Sequence, residues 1–122
     1  MSDSIVKTKS YELAILGVNF YKYLVLEKKE FVMSKQFLRS ITSVGANVRE
    51  AINAQSKLDF IHKLAIAQKE CDESLYWIEL LRDTNYVEEK DCSDIYQKAS
   101  EVLKILKSII ISTKQNLRPR NS

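Results

Sequence analysis

The chain has 122 residues, 45% of them hydrophobic, and a formal charge of +3, which suits one domain long enough to bury a core. Two glycines and one proline leave turns and strands poorly provisioned and favour long helices with short connections. No run approaches the roughly eighteen apolar residues of a membrane span. Met-Ser-Asp-Ser-Ile lacks the basic and apolar regions of a signal peptide, so the expected location is cytoplasmic.

The first helix is expected over about residues 10–29, after a frayed start. Leu13, Leu16, Gly17, Phe20 and Leu24 mark one line, and Tyr11, Ala14, Val18, Tyr21 and Val25 mark a neighbouring one. Together they give a wide apolar arc. Tyr11, Tyr21 and Tyr23 could form an aromatic platform for nucleic acid, but tyrosines at helical spacing read more naturally as core or interface anchors. Gly17 costs about 1 kcal/mol relative to alanine inside a helix, which points to a close helix crossing.

A charged connection from Glu27 leads to Ser34, the expected N-cap of a second helix over about 34–54. Phe37, Ile41, Val44, Val48 and Ile52 fall on one side of it. Gln36, Ser40, Ser43, Asn47 and Glu50 repeat with the same step on another face. A solvated face usually carries long charged side chains, whereas serine and asparagine are mediocre helix formers that seek hydrogen bonds. The stripe, with Arg39 and Glu73, is therefore expected to form a largely buried polar seam between helices or protomers. Gly45 fits close backbone approach.

Ser56-Lys57-Leu58-Asp59 has the form of a capping box, starting a third helix over about 57–84. Its inner side carries Phe60, Leu64, Ala67, Cys71, Leu75, Ile78 and Leu81. Asn85 can take the left-handed conformation that ends helices, and Tyr86 and Val87 are expected to tuck back onto the core. The fourth helix opens at Asp91 and Asp94 and covers about 92–115, with Ile95, Ala99, Val102, Leu106, Ile109 and Thr113 as its seam. The run Ile109-Ile110-Ile111 is too continuous for a one-sided surface helix and implies a second buried face, meaning an oligomer contact.

Four helices with short links favour an all-α, antiparallel up-down-up-down bundle comprising a single domain, 1–122. Such a topology gathers Lys7, Lys9, Arg49, Lys57, Lys63, Lys114, Arg118 and Arg120 at one end, diluted by Asp3, Glu12, Glu50 and Asp59. Residues 114–122 form an acid-free basic tail; the rest balances sixteen basic against sixteen acidic residues. Side-by-side protomers would multiply this end into a ring able to attract phosphate backbones.

Catalytic chemistry finds little support. Cys71 and Cys92 have neither CxxC spacing nor companion histidines and read as structural. His62 has no nucleophile pattern around it. Glu70, Asp72, Glu73 and Glu79 evoke di-metal bundles, but that chemistry uses Glu-x-x-His pairs on two helices, and no glutamate lies three residues before His62. These acids are expected on a solvated face, except Glu73, which is expected to be buried and paired to Arg39.

Gln36-x-x-Arg39, Ser43-Val44-Gly45-Ala46-Asn47-Val48-Arg49-Glu50-Ala51, Ser56-Lys57-x-Asp59-Phe60-Ile61, Leu64-Ala65-Ile66-Ala67 and Glu73 together resemble the intervening-sequence protein family. These are small four-helix-bundle proteins, many encoded within insertions of bacterial 23S ribosomal RNA genes. The family's usual SIPSNIAEG appears here as SVGANVREA, with Gly45 for the proline, Arg49 for a small residue and Ala51 for the final glycine. The resemblance implies a homo-oligomer, a pentameric barrel, related to the basic accessory protein of diversity-generating retroelements, which binds nucleic acid and a reverse transcriptase. It attaches no enzymatic activity, and the residues lead to no expected cofactor or metal.

Two functions fit. One is a non-catalytic nucleic-acid-binding (RNA or DNA) or ribonucleoprotein accessory module, with Arg49, Lys57 and Lys63 on phosphates and Lys114, Arg118 and Arg120 as an auxiliary arm. The other is a structural module whose partner is another protein. Neither takes a small-molecule substrate.

Overall fold

The computed structural model describes residues 2–117, with side-chain surroundings from Ile5 onward. Arg118, Arg120 and the rest of the basic tail beyond Leu117 lie outside the described residues. Four helices run in order: α1 (Ser2–Leu26), α2 (Met33–Ile52), α3 (Lys57–Asp83) and α4 (Glu89–Leu117). α1 and α3 each pack on both α2 and α4, which closes the four helices into a ring around one apolar core. Among the described residues no helix is long and apolar enough to cross a membrane.

α1 begins at Ser2 and not near residue 10. The buried residues explain the difference: Val6, Ser10, Leu13, Gly17, Phe20 and Leu24 step by four and three along one line, so the core-facing stripe runs on past the expected start. Val6 is only 1% exposed. The neighbouring apolar line does not share that burial, and Tyr11 in particular lies 57% exposed, so it is not a core anchor of this chain. Tyr23 is half-buried and stacked against Phe20 with centroids 6.2 Å apart. α1 stops where Lys29 adopts the left-handed conformation (φ 55°) and the Glu30 N–H turns back to the Leu24 carbonyl at 3.0 Å.

Ser34 does not cap α2. The N-cap position belongs to Val32, which offers no side-chain acceptor. Glu30 takes the role from outside the helix: its carboxylate accepts from the N–H groups of Val32 (3.2 Å), Met33 (3.0 Å) and Ser34 (2.7 Å). The Ser34 hydroxyl returns a bond to the Glu30 carbonyl at 2.7 Å. Both residues are buried. A carboxylate here satisfies donors that have no partner within the helix and faces the positive end of its dipole.

The core side of α2 is as the spacing predicts for Phe37, Ile41, Val44 and Val48, all fully buried, whereas Ile52 is half-exposed and Ala51 takes the last inward position. In α3 the expected inner residues are buried from Leu64 to Leu81, with Phe60 half-exposed at the entry. Ser56 accepts from the Asp59 N–H at 3.0 Å. Asn85 (φ 70°) ends α3 in a Schellman motif, with Tyr86 N–H on the Leu81 carbonyl and Asn85 N–H on the Arg82 carbonyl, both at 3.0 Å. Val87 is buried after it, but Tyr86 is exposed. α4 starts earlier than expected because Asp91 sits inside its first turn and reaches back to accept from the Glu88 N–H at 2.9 Å. Its seam passes through Leu106 to Ile110, leaving Ile109 and Thr113 half-exposed and Ile111 exposed.

Helices joined in sequence meet through residues whose numbers run in opposite directions. Ser10 lies against Gly45 and Gly17 against Ile41; Ser40 meets Ser74 while Glu50 meets Lys63; Cys71 meets Ala99 and Glu79 meets Tyr96. Lys9 and Glu12 of α1 pair with Glu101 and Lys98 of α4. Both glycines stand at the α1–α2 crossing. A Cβ on Gly17 would lie 2.5 Å from Ile41 Cγ2, and one on Gly45 would lie 3.3 Å from the Ser10 carbonyl oxygen.

Candidate functional site

Beside the α1–α2 crossing and next to the α2–α3 turn, small side chains at Ala14, Gly45, Ala46 and Ala54 leave an open groove of about 910 Å³. Its rim carries Lys7 and Tyr11 from α1, Arg49 and Glu50 from α2, Asn53, Gln55 and Ser56 from the turn, and Asp59 and Lys63 from α3. The fold thus brings the first turns of α1, the last turns of α2 and the start of α3 to one end of the molecule. The Arg49 guanidinium carbon sits 5.9 Å from the centroid of the Tyr11 ring, within cation–π range.

The six residues expected to meet phosphate do not stand alike. Arg49, Lys57 and Lys114 are exposed and enter no ion pair among the described residues. Lys63 instead donates to Glu50 at 2.8 Å; that hydrogen bond first, and the nearby Asp59 charge as well, hold its ammonium above the ordinary lysine value. Its charge is therefore largely answered within the fold. Arg118 and Arg120 lie outside the described residues. Sequence reasoning placed Lys7 at this end without naming it as a contact; it lines the groove beside Tyr11.

The polar seam is also redistributed. Only Ser40, together with Ser74 of α3, is fully buried; Ser74 Oγ lies 2.9 Å from both Ser40 Oγ and the Glu70 carbonyl, and Ser40 Oγ lies 3.0 Å from the Phe37 carbonyl. Gln36, Arg39 and Glu50 are exposed, and Ser43 and Asn47 are half-buried. Ser43 donates to the Arg39 carbonyl at 2.7 Å and Asn47 to the Ser43 carbonyl at 2.8 Å. Within the chain, then, the stripe is not the largely buried seam expected: Ser43 and Asn47 bond to their own helix, while Ser40 and Glu50 reach Ser74 and Lys63 of α3.

The Arg39–Glu73 pair does form, at 2.5 Å, and Glu70 joins it with Oε1 3.2 Å from Arg39 Nη1. Glu73 is half-exposed and also accepts from Trp77 Nε1 at 3.2 Å. Partial burial pushes the Glu73 carboxyl up, but the bonds from Trp77 and Arg39 outweigh it and hold it below the ordinary value of 4.5. A lowered carboxyl contributes stability that is fully present above the unfolded value and lost as pH falls through the folded one. Urea midpoints measured from neutral pH to below pH 4.5 should therefore decline, and Arg39→Gln should flatten that decline. An unchanged acid slope in Arg39→Gln would count against the pairing.

Of the other α3 carboxylates singled out by the sequence, Glu79 accepts from the Tyr96 hydroxyl at 2.7 Å and Asp72 is exposed. Among the described residues no three His, Cys, Asp or Glu side chains are placed to share a metal ion. Cys71 is fully buried and burial pushes its thiol up to about 12.

Taken together, these features describe an all-α protein of four packed helices with a basic and aromatic groove at one end. Residues 2–108 match the family described as 23S rRNA-intervening sequence protein, and the chain belongs to that family. It is similar, at 55% identity and a TM-score of 0.88, to a protein of unknown function from the S23 ribosomal protein family of Bacteroides thetaiotaomicron, whose crystal structure was determined at 1.70 Å; the match covers 91% of this chain and 99% of that one. No functionally curated protein matches the chain.

Proposed function

We propose that this chain is a non-catalytic, antiparallel up-down-up-down bundle that assembles side by side into a homopentamer and acts in the cytoplasm as a nucleic-acid-binding or ribonucleoprotein accessory module. The observation that carries the reading is the groove at the α2–α3 end, where Arg49 and Lys7 line an open surface and Lys57 follows at the start of α3. Unanswered cations beside a groove attract phosphate, and phosphate contacts position a nucleic acid without reading its sequence. Lys114 lies on the last turn of α4, and the tail with Arg118 and Arg120 would extend the same field. The reversed numbering of paired residues supports the antiparallel order.

The assembly is supported by a second surface. Ile5 lies beside Ile105 and Ile109 at the α1–α4 edge, and Ile15 is exposed further along α1. Contact between protomers along that edge leaves the α1–α2 groove open. The same apolar surface supports the alternative reading, a module that docks another protein.

A filter-binding titration of structured RNA at two salt concentrations tests the leading reading. Arg49→Glu with Lys57→Glu should weaken binding by more than tenfold and reduce the slope of log affinity against log salt by roughly 1.4–1.8, about 0.7–0.9 for each contact. Unchanged affinity and slope would overturn it. Light scattering on the same preparation reads the oligomer, and a monomer at assay concentration would remove the pentamer.

A further inference from the structure

We infer that the groove between α1 and α2 takes an unpaired base, with Tyr11 as its stacking platform, so that the protein prefers single-stranded to duplex nucleic acid. This rests on the nucleic-acid reading above and specifies which form of the polymer the site accepts.

Tyr11 is the starting observation. An aromatic ring of α1 that stays 57% exposed contributes little to the core, and the same helix already supplies Val6, Leu13, Phe20 and Leu24 to it. The ring lies on the wall of a groove and not on a flat surface. Arg49 holds its guanidinium 5.9 Å from the ring centroid. A planar cation beside a π-face is the pairing that single-strand binding sites use: the ring stacks a base, and the cation takes the adjoining phosphate or adds to the stack.

The groove also has the right size and edges. Its volume of about 910 Å³ is within the range of roughly 300–1,000 Å³ typical of small-ligand sites, which is room for a nucleobase with its sugar and part of the adjoining strand. A duplex keeps its bases inside the stack and can offer this groove only its backbone. Asn53 uses its amide Nδ2 on the Arg49 carbonyl at 3.0 Å, which leaves its amide oxygen as an acceptor. Gln55 is exposed on the same rim. Two amides at the edge of an aromatic site can hydrogen-bond a splayed base. Charge balance is compatible: Glu50 is engaged by Lys63, Asp59 faces the same lysine, and Lys7 and Arg49 remain toward the opening.

The test is fluorescence anisotropy of the full-length protein with a labelled single strand of about a dozen nucleotides, in RNA and DNA forms, against a duplex of the same sequence and length. Single strands should bind at least tenfold more tightly than duplex. Tyr11→Leu should weaken single-strand binding by roughly 5- to 150-fold, the range for loss of one stacked base, and leave duplex binding unchanged. Tyr11→Phe should retain it, because the ring and not the hydroxyl stacks. The exposure of Tyr11 makes all three proteins comparable in fold, which circular dichroism and the melting temperature check. Equal affinity for both forms, or single-strand binding indifferent to Tyr11→Leu, overturns this inference while the nucleic-acid reading stands. No binding to either form overturns both.

Discussion

Replacing Glu30 with alanine is expected to destabilise the protein by about 3 kcal/mol. The estimate combines loss of a helix cap, about 0.5–2 kcal/mol, with about 1–3 kcal/mol for leaving a buried donor unpaired. The donor concerned is the Ser34 N–H, which lies only 2.7 Å from Glu30 Oε1 in a fully buried position. Glu30→Gln keeps an acceptor but gives up the charge that faces the helix dipole, and it should cost about half as much. Ser34→Ala removes only the return bond to the Glu30 carbonyl and should cost about 1 kcal/mol. Urea denaturation of the three variants gives the order directly. A Glu30→Ala protein within about 0.5 kcal/mol of the parent, the usual range of unremarkable surface changes, would show that the carboxylate does not cap α2.

Gly17→Ala should also destabilise, by about 1–3 kcal/mol through overpacking, although alanine is the better helix former by about 1 kcal/mol. The added methyl would stand 2.5 Å from Ile41 Cγ2 and 2.9 Å from Cγ1, so α1 and α2 must separate or Ile41 must leave its rotamer. The sign is diagnostic, because propensity alone predicts a gain. Ile41→Ala by itself opens a cavity at a fully buried site and should cost about 2–5 kcal/mol. In the double variant the alanine methyl at position 17 occupies part of the space that Ile41 vacates. The double variant should therefore be more stable than the sum of the two single losses predicts, by an interaction of about 0.5–3 kcal/mol. Strict additivity would mean that the two residues do not share the crossing.

The all-α class, the number of helices and the core faces of α2 and α3 were legible because a 3.6-residue period with one apolar side has few alternatives. The two glycines were equally readable: a residue that costs helix stability inside a helix implies something that needs its small size. The misreadings have a common physical origin in interactions that local pattern does not carry. Ser34 matched the usual cap preference, yet a glutamate four residues earlier can fold back through a left-handed Lys29 and outcompete it. Tyr11 looked like core because α1 is apolar on several sides, and periodicity cannot tell which side faces inward when most of them qualify. Its proximity to Arg49 depends on the α1–α2 crossing, so no spacing within α1 could reveal the groove. Lys63 likewise appeared as an available cation because its partner, Glu50, lies across the α2–α3 turn.

The sealing of both thiols has a practical consequence for work on this protein. Cys71 is fully enclosed and hydrogen-bonded toward the Ala99 carbonyl at 3.2 Å, and Cys92 is buried at the start of α4, where burial raises its thiol too. Both thiols are free and enclosed within the fold, and a thiol kept protonated is a poor nucleophile. An assembly of copies of the kind proposed would therefore have no disulfide through these two thiols. A cysteine introduced on the groove rim could carry a dye or spin label with the native pair left silent, so that occupancy of the groove can be followed in the folded protein without removing either natural residue.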